Sequence, residues 1–256
     1  MMERMIVLNR WKDDRIALTV KWLQMKVKHA NAAGLVVGIS GGIDSAVVAN
    51  LIKLACPDQS AGLILPVNSH KNDLHDALAA AQAAGLTHHI IDFTEIHQSI
   101  MQKVMGVLDP HYKEKDIKRQ ICDANLRARL RMCALYAYAN ALNYLVVGTD
   151  NAAELYTGYF TKHGDGGVDL LPIGKLLKKE VYQWAVEFNV PERILQRPPS
   201  AGLWEGQTDE EEMGTTYEII DQFLSGNTVP EKELSHLNLL HERSNHKRQM
   251  PPLPDW

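Results

Sequence analysis

One stretch of eight residues constrains the fold of this chain more than any other. It reads Gly38-Ile-Ser-Gly-Gly-Ile-Asp-Ser45 and lies directly between an apolar run and a helical run. In open α/β sheets, a glycine-rich turn from strand to helix lies at the carboxyl end of a central strand, where such sheets bind ligands. The stretch therefore predicts a fold class and also the place of a site.

The sequence from Gly34 onward alternates short β-rich runs with longer helical runs, which is typical of a parallel sheet with helices on both faces. The predicted strands are Gly34 to Ile39, Ala61 to Val67, His88 to Phe93 and Tyr144 to Gly148. The predicted helices are Ile43 to Ala55, Lys71 to Ala84, Thr94 to Met105, Asp116 to Leu142, Lys175 to Phe188, one starting at Pro191 and one from Thr208 to Phe223. We expect a Rossmann-like, open twisted sheet.

Length and composition limit the partners. At 256 residues the chain has room for one α/β domain, and we predict a single domain over residues 1–256. The formal net charge of −4 makes nucleic acid a poor candidate as partner. No segment approaches the roughly 20 apolar residues of a membrane span, and Met1 to Arg15 does not resemble a secretory signal. Three cysteines without a Cys-x-x-Cys pair favour a cytoplasmic location.

The eight-residue loop has the groups that a polyphosphate needs. Gly41 and Gly42 allow positive φ and a close approach of the backbone. The hydroxyls of Ser40 and Ser45, with the first N–H groups of the helix, can donate to phosphate oxygens. Asp44 would repel those oxygens unless a cation lay between them, which predicts Mg²⁺. No lysine follows the glycines as in a Walker A loop, and an ordinary β–α turn is the alternative interpretation.

Two further motifs accompany this loop. The segment Gly148-Thr-Asp-Asn-Ala-Ala-Glu154 again joins a strand end to a helix start, and Glu154 would face back toward the phosphates as a second Mg²⁺ ligand. A simple helix N-terminus is equally consistent with that segment. The other motif is the glycine-rich stretch Gly164 to Gly167, with Lys162 before it and Asp169 after it. A loop so dense in charge is more typical of a site than of a linker.

Together with Asn125 to Met132, these motifs resemble the ammonia-dependent NAD synthetases from Val36 to Trp256. The first loop is similar to the pyrophosphatase loop of NAD, GMP and asparagine synthetases. The resemblance implies an adenine nucleotide alpha-hydrolase-like fold, a homodimer, and no glutaminase domain. It also implies a reaction: ATP adenylates the nicotinate carboxylate of deamido-NAD with release of pyrophosphate, and ammonia then displaces AMP to give NAD.

The resemblance assigns residues to each substrate. ATP, as co-substrate, would be contacted by Gly38, Ser40, Gly41, Gly42, Asp44, Ser45, Thr149, Lys178 and Ser200. Deamido-NAD would be contacted by Arg129, Lys162, Asp169, His246 and Lys247. Mg²⁺ would be held by Asp44 and Glu154, and the residues taking part in the chemistry would be Asp44, Lys162 and Asp169.

The pattern of residues bears on parts of this assignment. A step of about 100° per residue places Arg129 nearer to the apolar stripe of its helix than Arg127 or Arg131. That stripe consists of Leu126, Leu130, Cys133 and Ala137. Asp169 can orient ammonium or accept its proton, and a capping or salt-bridging role is the alternative. The segment Ser200-Ala-Gly202 departs from the family's Thr-Ala-Asp, so a hydroxyl is kept and a carboxylate is absent.

Other functions remain open to such a sequence. One is a different ATP pyrophosphatase, such as a GMP synthetase subunit or a tRNA thiolation enzyme, although paired cysteines and positive net charge are missing for the latter. Another, of a different class, is a domain that senses ATP without cleaving it. Glu154, Lys162 and Asp169 argue against sensing, because binding alone needs no second site for an anion.

Overall fold

The computed structural model describes residues 13–69, 71–108, 116–200 and 208–254, and these ranges contain one four-stranded parallel sheet. Its strands are β1 (Gly34–Gly38), β2 (Ser60–Ile64), β3 (Thr87–Ile90) and β4 (Tyr144–Val147). Their order across the sheet is β3-β2-β1-β4. β1 is therefore a central strand, and the glycine loop that follows it lies at the carboxyl edge of the sheet.

Helices connect the strands and cover both faces. In chain order they are α1 (Asp14–His29), α2 (Ile43–Ala55), α3 (Lys71–Ala83), α4 (Thr94–Val107), α5 (Asp116–Leu142), α6 (Ala152–Thr157), α7 (Lys178–Glu187), α8 (Glu192–Leu195), α9 (Asp209–Met213), α10 (Tyr217–Leu224), α11 (Glu231–Arg243) and α12 (Asn245–Arg248). A helix follows each of β1, β2 and β3, which is what a parallel connection requires.

The predicted fold class is confirmed by the packing around β1. Leu35 and Val37 pack into a cluster with buried residues of α1, α2 and α7, whereas Val36 belongs to a second cluster that includes Ala139 of α5. Because alternate residues of a strand point to opposite faces, a strand covered on both faces is apolar throughout. The sheet therefore lies between two layers of helices.

Several element bounds differ from the sequence prediction. Helices α2 and α5 have the predicted bounds, but β2 ends at Ile64 rather than Val67. Helix α7 begins at Lys178 rather than Lys175. The residues Met1 to Lys12 and Gly202, which entered the sequence predictions, lie outside the described residues.

The single helix predicted from Thr208 to Phe223 is wrong, although its start is confirmed. The side chain of Thr208 accepts from the backbone N–H of Glu211, as a capping residue does. Gly214 then has a φ of +68° and ends α9. A left-handed glycine at this position cannot continue a helix, so α10 starts again with Thr216 as its own cap.

Among the helices of the described ranges, none combines the length and the hydrophobicity that crossing a membrane requires. Cys56, Cys122 and Cys133 are free thiols.

Asp13 joins α1 to α7 by several contacts. Its carboxylate accepts from the backbone N–H of Arg15 at the start of α1 and pairs with the Arg15 guanidinium at 2.6 Å. It also accepts from the indole Nε1 of Trp184 in α7 at 2.9 Å. These bonds, that to the Arg15 side chain first, lower the pKa of Asp13 to about 2.

We expect Asp13→Asn to lower the free energy of unfolding at neutral pH by up to about 1 kcal/mol, because asparagine can still cap α1 but loses the ion pair with Arg15. Because the pKa is lowered, the carboxylate stabilises the fold fully above its unfolded value and loses this effect as the pH falls toward about 2. Urea titrations at successively lower pH should therefore show the difference between the two proteins closing. The exposed Asp58→Asn variant is the control, and a difference independent of pH would contradict the prediction.

Candidate active site

A cavity of about 460 Å³ opens at the carboxyl edge of the sheet. Its lining includes Gly38 at the end of β1, Ile64 at the end of β2 and Val147 at the end of β4. Parallel sheets place their ligand sites at this edge, because the loops after neighbouring strands meet there.

Hydrogen bonds within the glycine loop hold two serine hydroxyls at the cavity. The backbone N–H and the hydroxyl of Ser40 both donate to Oγ of Ser45, at 3.3 and 3.2 Å. Ser45 in turn donates to the carbonyl of Gly42 at 2.9 Å. Gly41 has a φ of +88°, in the left-handed region that favours glycine. The loop is therefore already folded into a form that can offer hydroxyl and N–H donors to phosphate oxygens.

A largely buried ion-pair cluster lies beside this loop. Nζ of Lys178 is 2.6 Å from Oδ2 of Asp44 and 3.7 Å from Oε1 of Glu154. The other oxygen of Asp44 accepts from the side-chain amide of Asn151 at 3.0 Å. One ammonium group thus lies between two carboxylates, one from α2 and one from α6.

Electrostatics in this cluster favour additional positive charge. Burial first, and then the charge of Asp44, raises the pKa of Glu154 to about 7 against the effect of Lys178. Burial alone would lower the pKa of Lys178, but Asp44 and Glu154 raise it above its usual range. The hydroxyl of Tyr217 lies 3.1 Å from a carboxylate oxygen of Glu154 and 3.0 Å from one of Asp209, so its single proton can be donated to either. Asp209 is thus a third carboxylate whose charge acts on Lys178, in addition to the two that pair with it.

The structure brings the residues predicted to contact ATP together around this cavity. Those on its lining are Gly38, Ser40, Gly42, Asp44, Ser45, Thr149, Lys178 and Ser200. Glu154, the second predicted metal ligand, lines it as well, and Gly41 forms the turn of the loop. The side chain of Lys178 is directed to the carboxylates of the cluster. The contacts with ATP stay a prediction.

The residues predicted to contact deamido-NAD are divided. Lys247 lines the cavity and donates to two backbone carbonyls. Lys162 donates to the carbonyl of His246, and the guanidinium of Arg129 donates to the carbonyl of Lys162 at 3.4 Å. These last three residues are linked to one another but are not part of the cavity lining. Among the described residues, these three form a separate group outside the cavity, nearer to the protein surface.

Asp169 occupies a bridging position. Its Oδ1 accepts from the hydroxyl of Tyr136 at 3.0 Å, and its Oδ2 accepts from the backbone N–H of Val146 at 2.8 Å. Asp169 therefore connects α5 and β4, and it does not line the cavity. These contacts are hydrogen bonds from a hydroxyl and a strand N–H, rather than the helix cap or salt bridge of the alternative interpretation, and a role toward ammonium stays a prediction.

The prediction that Arg129 lies near the buried face of α5 is wrong for this chain. Cys133 and Ala137, which belong to the proposed apolar stripe, are exposed, and Arg129 is exposed beside them. The buried residues of α5 are small, Ala124 and Ala139. Large apolar residues define a stripe in a sequence more strongly than alanines do, so the buried face was assigned to the wrong side.

Arg131 is the arginine of this helix that lines the cavity. Its Nε donates to the carbonyl of Leu65 at 3.0 Å, and burial lowers its pKa to about 10. Arg127 pairs with Asp123 within the helix at 2.6 Å. Sequence reasoning could have found Arg131 by testing the alanine face of the helix.

Other residues of the site were missed for different reasons. Asn151 caps α6 and also binds Asp44, and its position inside the second motif was a usable signal. Asp150 is buried on the cavity lining in the same motif. Tyr217 reaches Glu154 from α10, far along the chain, and no local pattern indicates that contact.

Arg197 ties the segment that carries Ser200 to the first turn of α3. Its guanidinium is 2.6 Å from Asp73 and 3.3 Å from Asp76. Asp76 also pairs with Arg193 from α8. The same turn of α3 packs closely against Gly41, so one helix start supports both the glycine loop and the segment around Ser200.

Comparison with known proteins gives one consistent family. A family model described as NAD synthase matches residues 15–251. The NH(3)-dependent NAD(+) synthetase of Alkaliphilus metalliredigens is 56% identical over 241 residues, covering 94% of this chain and 98% of that protein. The protein of the same name from Methanocaldococcus jannaschii is 42% identical over 250 residues, covering 92% of this chain and 94% of that protein.

Solved structures agree with the sequence relatives. The NMN synthetase of Francisella tularensis has a TM-score of 0.87 and 40% identity, covering 95% of this chain and 98% of that chain. The NH3-dependent NAD synthetase of Campylobacter jejuni has a TM-score of 0.74 and 30% identity, covering 94% and 97%. Both similarities cover nearly the whole of this chain.

Proposed function

This chain belongs to the NAD synthase family, and on that premise we propose that its cavity catalyses the ATP-dependent amidation of deamido-NAD by ammonia, with NAD, AMP and pyrophosphate as products. Such an enzyme is a ligase that forms a carbon–nitrogen bond and uses ATP as co-substrate. The observation that supports this proposal most is the buried cluster of Asp44, Lys178 and Glu154 beside the glycine loop.

The reaction brings two anions together, ATP and the nicotinate carboxylate. The chain has donors that can hold the phosphates and a cation that can offset their charge. The N–H groups and hydroxyls of the loop from Ser40 to Ser45 would hold the phosphates of ATP, with the α-phosphorus presented to the nicotinate carboxylate. Attack by that carboxylate breaks the bond to pyrophosphate and forms an acyl adenylate. Ammonia then attacks the acyl carbon, and AMP leaves with the bonding electron pair. Lys178 would stabilise the charge on the phosphates as it redistributes.

The cluster also fits a magnesium ion. Two carboxylates, those of Asp44 and Glu154, already surround one cation, the ammonium of Lys178, at 2.6 and 3.7 Å. Carboxylate oxygens are the ligands that Mg²⁺ prefers. We propose that Asp44 and Glu154 hold Mg²⁺, which would neutralise phosphate charge when bound, and that Lys178 then turns toward the phosphates.

We propose that the protein is a homodimer and that the second copy completes the deamido-NAD site. Arg129, Lys162 and His246 lie outside the cavity of the single chain. Helix α5, which carries Arg129, also exposes two apolar residues, Ile121 at 54% and Leu142 at 43% exposure. Apolar residues of this kind on a long helix suit a subunit interface. Sedimentation as a monomer at micromolar concentration would contradict the proposal.

Residues 1–256 would form one catalytic domain located in the cytoplasm. The free thiols of Cys56, Cys122 and Cys133 support a reducing compartment. Small molecules, namely ATP, deamido-NAD and ammonia, would be the substrates, with no role for nucleic acid or a membrane.

The test of this function is a product analysis with the purified protein, Mg²⁺, ATP, deamido-NAD and an ammonium salt. NAD, AMP and pyrophosphate are expected in equal amounts, and none of them in the absence of deamido-NAD. Formation of ADP and phosphate, or AMP without NAD, would contradict the proposed reaction. Binding of ATP without cleavage would instead support the sensing alternative.

A mononucleotide acceptor is the second candidate, and one observation favours it. The NMN synthetase of Francisella tularensis is 40% identical to this chain with a TM-score of 0.87. The corresponding acceptor would be nicotinate mononucleotide, which lacks the adenylate half of deamido-NAD. Comparing kcat/KM for the two acceptors under the same conditions decides between them, since specificity is the ratio of these two values.

The contact between Arg197 and α3 predicts a specific effect on ATP. We expect Arg197→Ala to raise KM for ATP by about tenfold, the equivalent of one charge-assisted hydrogen-bond pair, with a smaller change in kcat. The reason is that Ser200 would no longer be held beside the glycine loop. Initial rates at varied ATP measure this.

Arg193→Ala is the matched control for that prediction. Arg193 pairs with the same Asp76 but does not line the cavity. Its loss should change KM for ATP much less. Equal effects of the two variants would show that the ion pairs serve only the packing of α3 and α8.

A further inference from the structure

Asp150 is a buried carboxylic acid that the proposed chemistry has not yet used. It follows β4 and precedes Asn151, the cap of α6, so it lies at the strand edge where the cavity opens. Only 5% of its surface is exposed, and it belongs to the cavity lining. Its Oδ2 is buried, and among the described residues this oxygen has no hydrogen-bond partner.

An oxygen of this kind has to be explained. A buried polar atom without a partner costs about 1–3 kcal/mol, and more when it is charged. Burial first, and then the charges of Asp165, Glu154 and Asp44, raises the pKa of Asp150 well above its usual range. The surroundings of Asp150 are therefore negative and short of hydrogen-bond donors. The ligand that satisfies both needs is a small cation that donates hydrogen bonds.

The contacts of Asp150 differ from those of the proposed metal ligands. Lys178, the cation of the cluster, is paired with Asp44 and Glu154, and among the described side chains it forms no ion pair with Asp150. Within the ranges that the structure covers, no three His, Cys, Asp or Glu side chains are grouped as they would be around a metal ion. Asp150 is therefore not placed as a third ligand of the same ion.

Ammonium fits this position by its chemistry. It carries one positive charge and has four N–H donors and no acceptor. It can therefore supply both the hydrogen bond and the charge that a single buried carboxylate oxygen lacks. Asp169, the residue that the sequence suggested for this role, already has a donor on each of its oxygens. Resting on the proposed function, we propose that Asp150 binds the ammonium ion that supplies the amide nitrogen.

This location suits the second half-reaction. Asp150 adjoins Thr149, which lines the cavity beside the glycine loop. An ammonium ion held there lies on the same edge of the sheet as the acyl adenylate would. After it loses a proton to solvent or to a neighbouring base, the resulting ammonia can attack the acyl carbon without diffusing in from outside.

The test compares Asp150→Asn with the unchanged protein in two assays. The first is the exchange of labelled pyrophosphate into ATP, which depends on deamido-NAD and needs no ammonia. The second is the formation of NAD at varied ammonium and at varied Mg²⁺. We expect the variant to raise KM for ammonium by at least about tenfold, as for the loss of one hydrogen bond to a charged group. Pyrophosphate exchange and the Mg²⁺ concentration for half-maximal rate should remain as in the unchanged protein.

The other outcomes are equally informative. An unchanged KM for ammonium would overturn the proposal. A raised Mg²⁺ requirement or a loss of pyrophosphate exchange would overturn it as well, because Asp150 would then serve the metal or ATP. If the unchanged protein itself shows no exchange that depends on deamido-NAD, the proposed function fails, and this result is distinct from a failure of the ammonium site alone.

Folding of the variant is checked by thermal unfolding. Removing an unpaired buried carboxylate should leave Tm at or above that of the unchanged protein. Asp150→Ser, which also removes the charge and keeps a small polar group, carries the same test if the asparagine variant does not fold. A carboxylate that only supported the fold would lower Tm when replaced and would leave KM for ammonium unchanged.

Discussion

Replacing Asp44 with asparagine is expected to lower kcat for NAD formation by a factor on the order of 10²–10³. Asp44 lies 2.6 Å from Lys178 and lines the cavity together with Glu154. Asparagine keeps the volume of the side chain and removes its charge, so Mg²⁺ would be held less firmly near the phosphates. Rates of AMP release at varied Mg²⁺ should show a lower maximum and a higher Mg²⁺ requirement.

Asp14→Asn is the matched control for this variant. Asp14 lies in the first turn of α1 as Asp44 lies in the first turn of α2, but Asp14 is exposed and does not line the cavity. Replacing Asp14 should leave both the maximal rate and the Mg²⁺ requirement unchanged. Asp44→Asn leaves Lys178 with Glu154 as its remaining ion-pair partner, so the free energy of unfolding should fall by about 3 kcal/mol. The rates are therefore compared under conditions in which both proteins are folded. An Asp44→Asn protein with normal kcat and Mg²⁺ dependence would contradict the proposed site.

Gly41→Ala should be the most disruptive single-methyl change in the glycine loop. Gly41 has a φ of +88°, and a Cβ there would lie 2.8 Å from the carbonyl oxygen of Asp73 and 2.9 Å from Cβ of Asp76. These atoms belong to α3 or are attached directly to its backbone, so they cannot turn aside. We expect a loss of stability of about 2–4 kcal/mol and a rise in KM for ATP of at least about tenfold. Urea unfolding and initial rates measure the two effects.

Gly85→Ala separates backbone strain from crowding. Gly85 has a φ of +60°, yet an added Cβ would meet nothing within 4 Å. Gly85→Ala should therefore lower the free energy of unfolding by about 1 kcal/mol, because alanine is strained in the left-handed conformation. KM for ATP should not change. If the two alanine variants lose equal stability, then crowding against α3 does not explain the glycine at position 41.

The sequence predicted the parts of this molecule that depend on local patterns. The apolar run before Gly38 and the helical run after Gly42 predicted β1, α2 and the loop between them, because strand, turn and helix each have their own residue preferences. The Asn-Ala-Ala-Glu154 segment similarly predicted a helix start. Two such loops at neighbouring strand ends then meet as a consequence of parallel topology.

Contacts between distant segments could not be predicted in this way. The position of Arg131 depends on which face of α5 meets the sheet, and the fully buried residues of that face are alanines, whose hydrophobicity is weak, with Leu135 partly buried beside them. The bond from Tyr217 to Glu154 depends on how α10 docks onto α6. The unpaired oxygen of Asp150 is visible only when all its neighbours are placed. These features are set by packing between elements, which single-residue patterns do not record.

The transfer of oxygen during the reaction tests the central claim most directly. Deamido-NAD carrying the heavy isotope of oxygen in its nicotinate carboxylate is converted by the purified protein with ATP, Mg²⁺ and ammonium, and AMP and pyrophosphate are analysed by mass spectrometry. Adenylation in the cavity beside Asp44 and Glu154 predicts one heavy oxygen in each AMP and none in pyrophosphate. Heavy oxygen in pyrophosphate or in free phosphate, or its absence from AMP, would contradict cleavage of ATP at the α-phosphate.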